Sequence, residues 1–148
     1  MGRSQRLKGK RVELDFVHTM KEKGFKQVAR VPNSGNSPFQ DFKGDVVLKH
    51  DGDIYLFEIK ARRTPIKSLE PIWTNNVPLI DNAGYFYATW DQIGLEPQST
   101  IKQSKQISRW LQQAQYESAI LVIKFNRKPF IFVYSPEQAQ KLIKLKQG

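Results

Sequence analysis

The sequence predicts a single-domain α/β protein in which a largely central sheet is flanked by helices. Helical and strand-like patterns alternate along the chain, which begins and ends with a helical pattern, and this order favours a sheet covered by helices. The chain has 148 residues, 39% of them hydrophobic, and no linker-like segment divides it. That length suits one ordinary core, so we expect one domain over residues 1–148.

The first elements are a helix, a strand and a loop. Gly24 stands where a helix would end, so a helix is predicted over about 8–23. The apolar residues at helical spacing are Val12, Phe16, Val17 and Met20. Residues 25–31 have the pattern of a short strand, and residues 32–44 are rich in the Pro, Gly, Asn and Ser that form loops.

A β-hairpin is the next element that the sequence predicts. Residues 45–48 and 54–61 are rich in β-branched, aromatic and other apolar residues, and Asp51-Gly52 lies between them. Asp-Gly between two such runs is a strong signal for a tight hairpin turn. The turn is therefore predicted at these two residues.

This turn determines which residues face each other across the hairpin. It places Val46 opposite Phe57 and Asp45 opposite Glu58. Opposed residues project to the same side of a sheet with Cβ atoms about 5 Å apart, and side chains alternate along a strand. Lys60 is therefore expected on the same side as the two carboxylates.

The second half of the chain has weaker patterns. Residues 62–100 contain four prolines and one strand-like piece, 84–90, and the rest is predicted to be irregular. A helix follows, with one face formed by Gln103, Ile107, Trp110 and Leu111. Residues 118–125 and 129–134 predict a second strand pair. The segment 135–138, Ser-Pro-Glu-Gln, is a capping box that begins a terminal helix.

The carboxylates of Asp45 and Glu58 are the main candidates for a catalytic site. Like charges opposite each other destabilise a sheet, so the pair needs a cation. Hard oxygen ligands without nearby cysteine favour Mg²⁺ or Mn²⁺. Such an ion polarises a phosphate and lowers the pKa of a bound water, while Lys60 positions that water or stabilises the developing charge. A phosphodiester hydrolase is predicted, and a solvent-facing strand edge that happens to carry these residues is the alternative.

The charge of the chain indicates a polyanionic partner. It has 24 Lys and Arg against 14 Asp and Glu, a formal net charge of +10. The basic residues do not gather on one amphipathic helix and no apolar run could span a bilayer, so nucleic acid is favoured over a membrane surface. High solubility alone would also account for excess lysine. The amino terminus is not a secretory signal, so we expect an intracellular protein.

Two sets of motifs resemble known families. Gly44-Asp45-Val46-Val47 followed by Phe57-Glu58-Ile59-Lys60-Ala61-Arg62 resembles the signature of the PD-(D/E)xK nuclease superfamily. A wider frame in roughly the first sixty residues resembles the archaeal Holliday junction resolvases called Hjc and their viral relatives. That frame consists of Gly9-Lys10-Arg11-Val12-Glu13, Gly24-Phe25, Arg30 and Asn33-Ser34-Gly35, ahead of the Asp and Glu-x-Lys residues. The resemblance implies a restriction-endonuclease-like fold, a central mixed sheet flanked by helices.

The resemblance also implies roles for residues outside the hairpin. Glu13 would join Asp45 and Glu58 as a catalytic and metal-binding carboxylate. It shares a helical face with apolar residues, and a solvated flank of the helix is the alternative. Ser34 would be an active-site serine, and Arg30 would contact a phosphate.

Further basic residues are candidates for contact with the DNA backbone. Arg62, Arg63 and Lys67 come just after the catalytic strand, although a solvated charged face is an equally good interpretation. The amino-terminal segment adds Arg3, Arg6, Lys8, Lys10 and Arg11.

The activity implied by the resemblance is structure-selective DNA cleavage. The protein would resolve four-way junctions with symmetrical nicks, using Mg²⁺, for which Mn²⁺ could substitute. A two-fold symmetric junction needs two symmetry-related sites, so a homodimer is expected. Its place would be the cytoplasm, that of the host cell if the source is viral. Two alternatives remain open: another PD-(D/E)xK endonuclease of repair, restriction or nicking type, or a basic DNA-binding module without catalysis.

Overall fold

The computed structural model describes residues 3–32 and 42–148, and within the first range it describes side chains from residue 9 onward. Its helices are α1 (Arg3–Glu22), α2 (Pro71–Thr74), α3 (Lys105–Tyr116) and α4 (Pro136–Gln147). Its strands are β1 (Gln27–Arg30), β2 (Val46–His50), β3 (Asp53–Arg62), β4 (Leu79–Asp81), β5 (Phe86–Ala88), β6 (Thr100–Ile101), β7 (Ile120–Phe125) and β8 (Ile131–Tyr134). Lys67–Leu69 and Trp90–Gln92 form short 3₁₀ turns.

The strands of the described residues form one mixed sheet. Its strand order is β1-β2-β3-β7-β8-β5-β4-β6. β3 pairs with β7 in parallel, as β4 does with β6, and the remaining neighbours are antiparallel. The predicted fold class, an α/β structure with a central mixed sheet flanked by helices, is confirmed.

Each face of the sheet carries its own core. On one face α1 and α4 cover the strands, and the ring of Phe16 lies 5.0 Å from that of Phe57 and 5.2 Å from that of Phe130. On the other face α2 and α3 cover a second apolar cluster that includes Leu111 and Leu121. Because side chains alternate along β3, the neighbours of Phe57 point to the α3 side. Glu58 and Lys60 of β3 are thereby directed toward α3.

The predicted hairpin and its register are confirmed. Val46 pairs with Phe57, and the pairing continues to the end of β2, where His50 pairs with Asp53. The turn has positive φ at both central residues, 50° at Asp51 and 80° at Gly52, as a tight two-residue hairpin requires.

The first helix begins earlier than predicted, at Arg3 rather than near residue 8. The apolar repeat from which the helix was predicted starts only at Val12, whereas the preceding turns consist mainly of polar and basic residues. Such residues have good helix propensity but contribute no apolar stripe, so periodicity does not detect them. The predicted strand over 25–31 is present as β1.

The segment 62–100 is more regular than predicted. It contains β4, α2 and the start of β6 as well as β5, whereas the sequence indicated only the strand-like piece at 84–90. β4 has three residues and β6 has two, which is too short for an alternating pattern to show. Asp81 at the end of β4 is buried and accepts hydrogen bonds from Ala83 N, Tyr85 N and the Tyr87 hydroxyl.

The last elements follow the prediction. β7 and β8 are antiparallel neighbours, and α4 begins with the predicted capping box, in which Ser135 accepts from Gln138 N and Ser135 N donates to the Gln138 side chain. In the part of the chain that the structure describes, no helix has the length and apolar character needed to cross a membrane.

Candidate active site

Asp45 is held between β1 and β3 by its own backbone. Its N–H donates to the carbonyl of Phe57 at 2.9 Å, and its carbonyl accepts from Val31 N at 2.8 Å. The Oδ2 atom accepts from Ile59 N at 2.8 Å, which fixes the carboxylate beside β3. Burial is the main reason that the pKa of Asp45 is raised, and the hydrogen bond from Ile59 opposes that shift. The predicted neighbour of Glu58 is therefore an anchored, partly desolvated carboxylate.

The close approach of Gly44 to β3 makes this arrangement possible. Gly44 has φ of 90°, and a Cβ built on it would lie 3.1 Å from the carbonyl oxygen of Phe57. A side chain at this position would be strained by the backbone conformation and crowded by the neighbouring strand. Only glycine fits without displacement, so the residue before Asp45 sets how closely the aspartate approaches Glu58.

Glu58 is the most buried acidic residue of the group, with 3% of its surface exposed. Burial, which is the largest cause, and the neighbouring carboxyls of Glu117 and Asp45 together raise its pKa to about 10. The side chain of Glu58 lies within hydrogen-bonding reach of both Glu117 and Asp45, and carboxyls so close together favour the retention of a proton at Glu58 when no cation is bound. The two carboxyls that the hairpin prediction places side by side are therefore close together, although the pairing of β2 with β3 ends at Val46 and Phe57 and Asp45 N donates to Phe57 O.

Lys60 lies on the same face as Glu58, as alternation along β3 predicts. Its Nζ atom is 3.4 Å from Glu58 Oε2 and donates a shorter hydrogen bond, 2.8 Å, to Oε1 of Gln113. The lysine is thus placed beside the acidic pair but is bound most closely to a neutral amide on α3.

Glu13 approaches the group from α1. Its Oε1 atom accepts from Arg30 Nε at 2.9 Å. Burial raises the pKa of Glu13, the contact with Arg30 lowers it, and the charge of Asp45 raises it again. Glu13 therefore lies within electrostatic range of the acidic pair, while Arg30, expected to contact a phosphate, is bound to Glu13.

Gln113 in α3 and Glu117, which directly follows α3, also belong to the group, although the sequence did not indicate them. Nε2 of Gln113 donates to Glu58 Oε2 at 3.2 Å and to Glu117 Oε1 at 3.1 Å. The helix was predicted, but the residues assigned to its main face do not contact the acidic group. Gln103, for example, donates to the buried Asp81 at 2.8 Å. A contact between α3 and β3 depends on the crossover between parallel strands, and no local pattern reveals it.

The acidic pair fits a hard divalent cation. The carboxyls of Asp45 and Glu58 are partly withdrawn from solvent, and a cation bound to their oxygen atoms would replace the proton that Glu58 retains. The Oε2 atom of Glu117 is also buried without a hydrogen-bond partner. No three His, Cys, Asp or Glu side chains within residues 3–32 and 42–148 form a preformed cage. Mg²⁺ suits such a site because it usually keeps several waters and binds one or two carboxylates.

The other predicted residues are not part of this cluster. Arg62, Arg63 and Lys67 are exposed beyond it, and Lys10 and Arg11 are exposed on α1. Ser34 lies outside the described residues, as do the side chains of Arg3, Arg6 and Lys8.

An exposed aromatic residue lies at the rim of the site. Tyr116, in the last turn of α3, has 77% of its surface exposed and directly precedes Glu117. The Nζ atom of Lys43 lies 4.5 Å from the centre of its ring. A cation on an aromatic ring beside a carboxylate cluster is a surface that a nucleic acid strand could contact through a phosphate and a base.

Residues 4–70 match the family model described as archaeal Holliday junction resolvase (Hjc). The predicted Hjc resemblance is confirmed for this segment. It contains Glu13, Asp45, Glu58 and Lys60, whereas Gln113 lies outside the Hjc match. The match supports the predicted activity of a nuclease that resolves junctions.

A solved structure of Hjc from Archaeoglobus fulgidus, a Holliday junction resolvase from an archaeal hyperthermophile, is also similar to this chain. The likeness covers 93% of this chain and 99% of that one, with 15% sequence identity and a TM-score of 0.40. No curated protein matches the sequence.

Proposed function

We propose that this protein is a Mg²⁺-dependent endonuclease that resolves four-way DNA junctions by symmetrical nicks and acts as a homodimer. The observation that carries the proposal is the contact between the half-buried carboxyl of Asp45 and the buried carboxyl of Glu58, with Lys60 Nζ 3.4 Å from Glu58. These residues lie within the segment that matches the Hjc family. A paired set of anions with one cation is the arrangement that metal-assisted phosphodiester hydrolysis needs.

In this proposal the carboxylates bind the metal ion and the lysine stabilises the negative charge on the phosphate. Asp45 and Glu58 would hold the ion through their oxygen atoms, and the bound ion would polarise the phosphate and lower the pKa of the attacking water. The water oxygen bonds to phosphorus while a bond from phosphorus to a sugar oxygen breaks, and the departing oxygen takes a proton. The ammonium of Lys60 donates to the negative charge that develops on the phosphate.

DNA would be held mainly through its backbone. Arg62, Arg63 and Lys67 are exposed near the end of β3 and offer cations to phosphates on either side of the cut. Tyr116 and Lys43 would contact DNA at the rim of the site. Because backbone contacts dominate, binding is expected to depend steeply on salt and weakly on sequence.

Dimerisation and place of action belong to the same proposal. Paired cuts in a junction with two-fold symmetry call for two sites related by a two-fold axis, which a homodimer provides. A DNA substrate also implies work inside the cell, in the cytoplasm. Sedimentation of the protein with and without junction DNA would measure the assembly directly.

The decisive experiment is cleavage of a labelled four-way junction with Mg²⁺, beside a linear duplex built from the same arms. Paired symmetrical nicks in the junction alone are expected. The Glu58→Gln variant should bind the junction without cutting it, while Glu22→Gln, an exposed carboxylate on α1, should cut normally. Equal cutting of both substrates would replace the proposal with a general nuclease of the superfamily. Selective binding without cutting by the unaltered protein would leave only a binding module.

A further inference from the structure

We propose that Gln113 is a positioning residue that holds Lys60 in place relative to Glu58. The inference rests on the proposed function, because it concerns how the same site is ordered. Gln113 comes from α3, 53 residues beyond Lys60 in the sequence and outside the Hjc match. Among the residues that the structure describes, Gln113 is the one whose side chain forms hydrogen bonds with both the lysine and the buried glutamate.

The oxygen of the Gln113 amide faces the lysine, and its nitrogen faces two carboxyl groups. Oε1 accepts from Lys60 Nζ at 2.8 Å, while Nε2 donates to Glu58 Oε2 at 3.2 Å and to Glu117 Oε1 at 3.1 Å. A lysine ammonium can only donate, so Oε1 of the amide must face Lys60 and its N–H groups face the two carboxyl groups. Glu117 takes the second N–H and so prevents the amide from turning.

The distances indicate what this amide does to Lys60. The lysine lies closer to Gln113 than to Glu58, 2.8 Å against 3.4 Å. Without the amide, the long flexible lysine side chain is free to shorten its 3.4 Å contact with Glu58 and to pair closely with the acidic residues. That ion pair would occupy the carboxylate oxygens that the proposal assigns to the metal, and it would move the ammonium away from the phosphate. Gln113 is therefore expected to affect the rate of cleavage and to leave DNA binding unchanged.

The test compares Gln113→Met with Gln112→Met. Methionine keeps the length of the side chain and removes its hydrogen bonds, and Gln113 is exposed enough for the substitution to be accommodated. Gln112 is the adjacent exposed glutamine on α3, and its side chain makes no hydrogen bond to any residue within 3–32 or 42–148. Cleavage of the junction under single-turnover conditions with Mg²⁺ should fall about 10- to 100-fold for Gln113→Met, by the cost of misplacing a reacting group. Binding of uncut junction in Ca²⁺ should stay within about twofold.

A second measurement reports on Lys60 directly. In protein labelled with ¹⁵N-lysine, the ammonium of Lys60 should give a slowly exchanging signal, assigned by its loss in Lys60→Met. We expect that signal to move to a different chemical shift in Gln113→Met, where a carboxyl becomes the acceptor, and to stay in place in Gln112→Met. A Gln113→Met protein with the cleavage rate or the Lys60 signal of Gln112→Met would overturn the inference. Failure of the unaltered protein to cut junctions would instead overturn the proposed function, with the Lys60 signals still readable.

Discussion

Arg30 donates from Nε to Oε1 of Glu13 across a distance of 2.9 Å, so two residues assigned by resemblance to different tasks form one ion pair. The pair joins α1 to β1 at the edge of the acidic cluster. No second partner of the Arg30 guanidinium is found among the described residues. Arg30 can therefore orient Glu13 while its other N–H groups face a DNA phosphate.

The first prediction concerns this pair. Arg30→Met leaves a mostly buried Glu13 without its cation, which should lower the free energy of unfolding by about 1–3 kcal/mol. Glu13→Gln should cost less, because an amide next to arginine carries no uncompensated negative charge. Denaturant unfolding of both single variants and of the double variant measures the coupling. Strictly additive effects would contradict a direct interaction.

The second prediction concerns the dependence of stability on pH. The pKa of Glu58 is raised in the folded protein from its ordinary 4.5 to about 10, first by burial, so above pH 4.5 the folded protein keeps a proton that the unfolded chain releases. Its contribution to stability is complete below 4.5 and is lost as the pH rises toward the raised value. Without divalent ions, the melting temperature should fall as the pH rises from about 6 to about 9, because this range lies between the ordinary and the raised pKa of Glu58.

The matched variant for that measurement is Glu58→Gln. Its amide stays neutral at every pH and can donate to Asp45, so the melting temperature should vary less with pH. At the alkaline end the variant should exceed the unaltered protein in unfolding free energy by roughly 1–3 kcal/mol, since it buries no developing charge. Parallel pH profiles for the two proteins would show that Glu58 does not carry the shift.

The third prediction concerns the metal. Ca²⁺ or Mg²⁺ added to the protein without DNA should raise the melting temperature at neutral pH and release protons, because the ion replaces the proton that the raised pKa keeps on Glu58. A concentration one hundred times the dissociation constant corresponds to about 2.7 kcal/mol of stabilisation. Titration calorimetry in buffers of different ionisation enthalpy counts the protons released.

Two variants separate metal binding from catalysis. Asp45→Asn should abolish the stabilisation by the ion, because it removes one of the two charged ligands. Lys60→Met should retain that stabilisation and lose cleavage, because the lysine acts on the phosphate. If Asp45→Asn bound the ion as tightly as the unaltered protein, the assignment of the acidic pair as the metal site would be wrong.

The fourth prediction concerns Tyr116. Replacing it with alanine should weaken binding to the junction by about 1–3 kcal/mol, the range for one stacked base. Phenylalanine at the same position should bind normally, because stacking needs the ring and not the hydroxyl. Leu95→Ala alters another exposed apolar residue, 58% exposed, and serves as the control. Fluorescence anisotropy with labelled junction at fixed salt would measure all three, and equal affinities of the alanine and phenylalanine variants would remove Tyr116 from the DNA contacts.

The features that the sequence predicts are those determined by residues close together in the chain. The proximity of Asp45 to Glu58 was predicted from an Asp-Gly turn only a few residues away, and the structure has the predicted register from that turn to Val46 opposite Phe57. Lys60 follows from alternation along the same strand. Local geometry is readable from sequence because turn chemistry and strand pleat determine it.

Features that depend on distant packing were not predicted. Gln113 meets Glu58 because β3 pairs in parallel with β7, which brings α3 across the sheet from 55 residues away in the sequence. Arg30 was linked to phosphate by resemblance, but its partner in the structure is a side chain on another element. The short β4 and β6 are stabilised by sheet pairing, and their own residues are too few to show a period.

The parallel pairing of β3 with β7 has a consequence for how the protein is made. The strand that carries Glu58 and Lys60 is complete at Arg62, yet the neighbour that covers its open edge begins at Ile120. A ribosome must therefore add most of the remaining chain before β3 is enclosed and α3 can dock on it. An incomplete chain that already carries Asp45, Glu58 and Lys60 therefore lacks the contacts from Gln113 that order this cluster.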